Sequence, residues 1–192
     1  MSLGRSELKQ KRQKELMSLL DSDPLLSDSE LARELGVSVG TIRLDRGVLN
    51  VPELRERTRQ MAERASSRLT SMKQEEVLGE LIELEPNRLA LSVLMTSREY
   101  AFRHTSLIAD HYIYAQAATL AIAAVKEDMV IVGSARAQFM HSAHVGDRLI
   151  ACAKVGTHKE NKYVVSVHTR IGSREIFVAR FVVIAIGGRG GC

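Results

Sequence analysis

The segment Asp110–Val125 has the spacing of a helix but no polar face. Ile113, Ala117, Leu120, Ala121 and Ala124 recur on one side, with Tyr112, Tyr114, Ala118 and Ile122 behind them. In its middle only Gln116 and Thr119 are polar. A helix that is apolar all round has to be covered all round, so the rest of its domain must enclose it. The neighbouring sequence is written in the period of strands. Short apolar runs at Val77–Leu84 and Arg88–Met95, turned at Glu85-Pro86-Asn87, come before it, followed by a loop from Thr96 to about Ala109. Met129–Phe139, Arg148–His158, Tyr163–Ile171 and Glu175–Ile186 come after. The clearest alternation sets Val164, Ser166, His168 and Arg170 against Tyr163, Val165, Val167 and Thr169, the two faces of one strand. Two strands, an enclosed helix and four more strands predict an antiparallel sheet wrapped around a central helix.

Before residue 75 the texture changes: polar residues are dense and apolar ones recur three or four apart, the helical period. Leu8–Leu20 reads as an amphipathic helix with Leu8, Leu16, Met17 and Leu20 on one side. Asp21-Ser22-Asp23-Pro24 stops it, because proline cannot continue the hydrogen-bond ladder. Ser27-Asp28-Ser29-Glu30 has the form of a capping box. The helix it opens runs through Leu31, Ala32 and Leu35 to Gly36, a natural left-handed stop. Ser38 caps the next helix, Val39 to Arg46. Two short helices joined by a glycine-containing turn are the form of a helix-turn-helix. Ala32 permits a close crossing, and Val37 and Ile42 fill the shared core. The second helix would then offer Ser38, Thr41, Arg43 and Arg46 to base edges and phosphates. An ordinary three-helix bundle with solvated arginines has the same spacing.

Pro52 suits the first turn of a further helix, Glu53 to about Gln74. Leu54, Met61, Ala65, Leu69 and Met72 trace an apolar stripe that a second copy or the following domain must cover. Arg55, Arg57, Arg59, Arg64 and Arg68 occupy the remainder. From Arg33 to Arg68 there are eight arginines and no lysine, a bias that suits bidentate phosphate contacts as well as surface ion pairs. The total charge says less: 27 Lys plus Arg against 23 Asp plus Glu leave +4, compatible with nucleic acid without demanding it. The fold class is therefore α+β in three parts: a helix-turn-helix in residues 1–50, an amphipathic linker helix in 51–74, and the sheet-and-helix domain in 75–192.

Several classes drop out. With 45% hydrophobic and 26% charged residues, the chain has ordinary globular composition. No apolar run approaches the roughly 20 residues of a membrane-spanning helix. The polar start, with Arg5, Lys9, Lys11 and Arg12, is unlike a secretory signal. Cys152 and Cys192 have neither a CxxC partner nor metal-ligand spacing, which points to a reducing cytoplasm and no metal. His141 and His144 lie three apart without a carboxylate or thiol arranged beside them and read as a solvated loop pair, while His158 and His168 read as strand residues. Met1-Ser2-Leu3 and Gly187-Gly188-Arg189-Gly190-Gly191 read as frayed ends.

The turn Val145-Gly146-Asp147-Arg148-Leu149 resembles the Gly-Asp hairpin of hotdog thioesterases, which implies a hotdog domain that holds acyl-thioesters near its central helix. Taken in order, a helix-turn-helix, an Arg-rich linker helix and a hotdog domain resemble the FapR repressors of bacterial fatty-acid and phospholipid synthesis. The most specific stretches are Thr41-Ile42-Arg43-Leu44-Asp45-Arg46, Pro52-Glu53-Leu54-Arg55-Glu56-Arg57 and Tyr114-Ala115-Gln116-Ala117. The resemblance covers essentially the whole chain. It implies a non-enzymatic homodimer on double-stranded operator DNA, with contacts from Ser38, Thr41, Arg43, Arg46, Arg55 and Arg59. Release would follow when malonyl-CoA, or malonyl-acyl carrier protein, enters the hotdog pocket.

The same resemblance places the effector at Phe102, Ala109, Asp110, Gln116 and Ala118. Phe102 and Gln116 match the family pattern; Ala109-Asp110 stand where it has an Arg-Gly pair, and Ala118 where it has Asn. A charge-assisted hydrogen bond contributes roughly 1.5–3 kcal/mol. Losing that arginine should weaken malonyl binding by about tenfold to a hundredfold. Arg98, Arg103, His104 or His111 could substitute from the loop; otherwise the effector is a different, uncharged acyl-CoA. A competing reading is a hotdog acyl-CoA thioesterase with an N-terminal helical appendage. In it Asp110 and His111 would supply catalysis at the start of the central helix, whereas the plainer role for Asp110 is to cap that helix.

Overall fold

The computed structural model describes residues 5–186, so the chain ends that read as frayed, and Cys192, lie outside the described residues. The chain forms two compact units, residues 1–60 and 61–192.

In the first unit, α1 (Arg5–Ser22), α2 (Asp28–Glu34) and α3 (Val39–Leu49) pack around Leu16, Leu20, Leu31, Ala32 and Ile42. Val37 is half-buried against the same cluster. Leu8 and Met17 stay largely exposed. Met17 follows the fully buried Leu16, and one residue is about 100° of helix rotation, which carries it off the buried stripe. The capping box is formed: the Ser27 backbone N–H donates to Glu30 Oε2 at 2.7 Å, and the Glu30 N–H donates to Ser27 Oγ at 3.3 Å. Gly36 has φ +64°, the left-handed conformation in which a Cβ is costly. Ser38 caps α3 by accepting the Thr41 N–H at 3.2 Å.

The next helix, α4 (Leu54–Ser66), ends eight residues before the Gln74 expected from its apolar stripe. The Ser66 and Ser67 hydroxyls donate to the carbonyls of Ala62 and Arg64 at 2.7 and 2.8 Å, local bonds that compete with the helical ladder. Beyond Ser66 the chain turns, and Ala65, Leu69 and Met72 pack into the core of the second unit. That half of the stripe is covered by its own domain.

Among the described residues the second unit holds six strands: β1 (Glu80–Glu85), β2 (Leu89–Met95), β3 (Val130–Phe139), β4 (Arg148–Lys159), β5 (Lys162–Ile171) and β6 (Arg174–Ala185). They pair antiparallel in the order β1-β2-β4-β5-β6-β3, around the central helix α5 (Asp110–Ala123). This is the hotdog arrangement. Phe177, Phe181, Leu84, Leu149 and Ile113 are among the largest fully buried side chains, each contributing about 1.5–3 kcal/mol through removal from water. The β1–β2 turn also seats the helix: the Asn87 N–H donates to Ala124 O, and Asn87 Oδ1 accepts the Lys126 N–H, both at 2.8 Å. Gly133 lies at the β3 bulge, where a Cβ would collide with the Ile184 side chain.

Burial of α5 is one-sided, against the expectation of cover all round. Ile113, Gln116, Ala117, Leu120, Ala121 and Ala123 are buried, but Tyr112, Tyr114, Ala118 and Ile122 are only half-covered by their own chain. The edge strand β3 is open as well. Ala135 and Phe139, paired to the buried Phe181 and Phe177, are exposed.

Candidate nucleic-acid interface and effector site

Helix α3 is held in the first unit by ion pairs from both sides. Asp45, buried on its inner face, accepts Arg12 Nε at 2.6 Å and Gln13 Nε2 at 2.9 Å from α1. Burial pushes the Asp45 carboxyl toward neutrality, but these hydrogen bonds and the Arg12 charge outweigh it and hold its pKa below the ordinary value. On the other side Arg46 reaches Asp28, at the start of α2, through two parallel bonds of 2.7 and 2.8 Å, and donates to Val51 O at 3.0 Å. The Arg46 hydrogen bonds, with its charge, hold the Asp28 carboxyl below the ordinary range.

Arg57, on α4, donates to Pro52 O and Leu26 O at 2.6 Å each and to Pro24 O at 3.1 Å. Burial and the nearby Arg46 charge press its pKa down, with Asp28 opposing. Of the eight arginines between residues 33 and 68, Arg46 and Arg57 are therefore bound up inside the unit, and Arg68 donates to Leu84 O at 3.2 Å within the second. Arg46, expected on the DNA-facing surface, has its guanidinium turned to Asp28 and Val51 instead.

What α3 leaves outward is compact. Ser38 and Thr41 place two hydroxyls, 3.0 Å apart, at its N-terminus. Arg43 is largely exposed, 3.6 Å from Asp28. Leu44 is 74% exposed and Val48 59%, four residues apart on the same face. On α4, Arg55 and Arg59 are exposed, and Arg59 pairs with Glu56 at 2.6 Å. That pairing and a hydrogen bond from Gln60 draw the Glu56 pKa down to about 2. Leu44 and Val48 escaped sequence reasoning because apolar residues at helical spacing read first as core.

The second candidate site lies at the start of α5. Ala109 is the N-cap of the helix, buried and without a side-chain cap. Asp110 is therefore not the cap: it follows as the first helical residue, exposed, with its carboxylate beside the helix N-terminus. His111 is exposed and its ring lies against Tyr112, centroids 4.2 Å apart. Phe102 is 51% exposed in the preceding loop, whose backbone is tied to the helix start by Ala109 N–H to Tyr100 O at 2.9 Å. Ala118 is half-covered on the open side of α5.

Gln116 faces the sheet instead. Its amide nitrogen lies 3.2 Å from Ser92 Oγ and 3.4 Å from the carbonyls of Ser92 and Leu149, so it anchors α5 to β2 and β4. Its Oε1 and Thr169 Oγ1 are the buried side-chain polar atoms without a partner among the described residues. Register places Ser92, Ala151 and Thr169 side by side across β2, β4 and β5. Only strand pairing could have brought Ser92 and Thr169 to attention. Among the described residues no group of three His, Cys, Asp or Glu side chains could hold a metal ion. None of their helices is long and apolar enough to cross a membrane.

No family model matches the chain, but individual relatives do. Transcription factor FapR of Thermoanaerobacter sp. (strain X514) is 36% identical over 178 residues, covering 93% of this chain and 89% of its own. Transcription factor FapR of Bacillus velezensis is 38% identical over 176 residues, with 90% and 94% covered. Among solved structures, Cj0977, a sigma28-regulated virulence protein from Campylobacter jejuni, superposes with a TM-score of 0.61 at 22% identity. That match covers 66% of this chain and 91% of the other, and it concerns the fold alone. Because the FapR matches run through both compact units, this chain belongs to the FapR family of transcription factors.

Proposed function

We propose that the protein represses genes of fatty-acid and phospholipid synthesis by binding operator DNA as a homodimer in the cytoplasm. In this reading residues 1–50 form the helix-turn-helix, 51–74 the linker and 75–192 the effector domain. The observation that carries it is relatedness to transcription factors along both units at once. The outward face of α3 supports it chemically. Ser38, Thr41 and Arg43 offer hydroxyl and guanidinium donors to phosphates and base edges, while Leu44 and Val48 offer apolar contact to thymine methyl groups. Arg55 and Arg59 add phosphate contacts, and Arg46 acts by positioning α3. Dimerisation accounts for the half-covered side of α5 and the open edge strand β3, both of which a second copy would cover.

The effector is an acyl-thioester of coenzyme A or acyl carrier protein, entering at Phe102, Ala109, Asp110 and Ala118, with Gln116 positioning the helix from beneath. Helix α5 is bonded to the segment that follows α4: Ser71 Oγ donates to Ile122 O at 3.0 Å and the Leu78 N–H donates to Thr119 Oγ1 at 3.2 Å. Malonyl-CoA is the family's implied effector. The carboxylate of Asp110 beside a buried Ala109 favours an uncharged acyl group instead, since two carboxylates in one site repel. A thioesterase reading is the weaker one: the relatives are transcription factors, and the His111 ring is engaged with Tyr112.

A gel-shift titration with promoter fragments of fatty-acid synthesis genes, with and without malonyl-, acetyl- and longer acyl-CoAs, tests the proposal. It expects salt-sensitive binding that one of these thioesters reverses. No salt-sensitive DNA binding under any condition would overturn it.

A further inference from the structure

The outer face of the sheet, away from α5, carries a built cationic depression. β3 and β6 pair so that Arg136 and Arg180 stand directly opposite each other. Ser166 of β5 opposes Arg180, and Lys154 of β4 opposes Ser166, so one row across four strands reads Lys154, Ser166, Arg180, Arg136. In the next row His168 and Gln138 flank Val178. Arg136, Gln138, Ser166, His168 and Arg180 line a cavity of about 490 Å³, within the range that holds small molecules.

Like charges directly opposed on adjacent strands destabilise a sheet. Among the described residues no hydrogen bond or ion pair joins Arg136 or Arg180 to a partner. The carboxylate closest to the depression by register, Glu175, is taken by His168. Two forked guanidiniums on strands about 5 Å apart match the oxygens of a tetrahedral anion. Their combined charge matches a phosphate monoester, which carries about −1.5 to −2 at neutral pH, better than a singly charged phosphodiester or carboxylate.

We propose that this depression binds a phosphate monoester dianion, held by Arg136 and Arg180 with Ser166 Oγ and the Gln138 amide as neutral donors. The site is separate from the start of α5 and does not depend on which acyl group acts there. The dianion has two sources, free phosphate or the monoester of a nucleotide.

Calorimetric titration of the full chain with inorganic phosphate, coenzyme A and 3′-dephospho-coenzyme A, at constant ionic strength, tests it. Inorganic phosphate should bind, and Arg136→Gln with Arg180→Gln should weaken it at least tenfold. Coenzyme A binding tenfold more tightly than its dephospho form, with the difference erased in the double variant, supports the proposal and identifies the nucleotide as source. Equal affinity for the two nucleotides, alongside phosphate binding that needs both arginines, supports it with free phosphate as source. The single variant Arg180→Gln should melt at a higher temperature than the parent in phosphate-free buffer and lose the phosphate-induced shift. Phosphate affinity unchanged in the double variant overturns the proposal. So does a double variant that has lost only duplex-DNA affinity, which would assign the face to phosphodiesters.

Discussion

Arg46 and Asp28 are joined by two parallel hydrogen bonds, 2.7 and 2.8 Å long, that clamp α3 to the first residue of α2. Eighteen residues separate them in the chain. Arg46 is thus a brace for its own helix, three residues from the largely exposed Arg43, which lies 3.6 Å from the same carboxylate.

Arg46 and Arg43 should therefore respond oppositely to removal. Arg46→Ala is expected to cost roughly 1.5–3 kcal/mol, the range for hydrogen bonds to charged groups, because it strands a partly buried carboxylate. Arg43→Ala should leave stability within about 0.5 kcal/mol and weaken specific operator binding by about 1–3 kcal/mol. Urea denaturation alongside gel shifts separates the two.

Arg57→Met keeps most of the side-chain volume and removes every donor to Pro24, Leu26 and Pro52. A loss of about 1–3 kcal/mol is expected from the unpaired carbonyls. Arg55→Met, an exposed change on the same helix, should be neutral for folding and reduce the slope of log affinity against log salt by about 0.9.

Acid should loosen the first unit. Asp28 and Asp45 both have folded pKa values held below the ordinary carboxylate range, so their ionised forms stabilise the fold. That contribution is fully present above about pH 4 and is lost as the pH falls through the lowered folded values. Circular dichroism should show lost helicity below pH 4, and Asp28→Asn should flatten the acid limb while lowering stability at pH 7. An acid limb identical in the variant would show that the pair contributes nothing.

Restoring the family's pair tests the effector reading. Ala109→Arg combined with Asp110→Gly should strengthen malonyl-CoA binding by about tenfold to a hundredfold, read as a larger thermal shift with malonyl-CoA than with acetyl-CoA. An unchanged ratio between the two would show that the carboxylate is recognised elsewhere.

Ala135→Lys places a charge on the exposed inward side of β3. In a lone chain this position meets solvent and stability should barely change. In the proposed homodimer it would bury an unpaired cation, so light scattering should report a shift toward half the mass. An unaltered oligomer would remove β3 from the interface.

Much of the fold was legible because it depends on short-range physics. The Ser27–Glu30 box, the Gly36 stop and the Ser38 cap are events within three or four residues. The alternation in β5 needs only a period of two, and the α5 composition placed that helix against the sheet, although its own chain covers one side only. Helix α4 ends short of its apolar stripe for the converse reason. Leu69 and Met72 continue a helical spacing by coincidence, while the Ser66 and Ser67 hydroxyls break the ladder and the second core claims both side chains.

The candidate sites divide in the same way. Sequence by itself determined a helical first part and a strand-rich second part around one apolar helix, since both follow from residue type and order; the resemblance to FapR implied the DNA-binding and effector roles, with Ala109-Asp110 standing where that family has Arg-Gly. Which arginines are available was decided only in three dimensions. Arg43, Arg46, Arg55 and Arg57 are alike as letters; what distinguishes them is whether a carboxylate or carbonyl from a distant segment comes within hydrogen-bonding reach. Asp28 reaches Arg46, and Pro24 and Leu26 reach Arg57. A guanidinium so engaged positions a helix, because its donors are spent before any phosphate arrives.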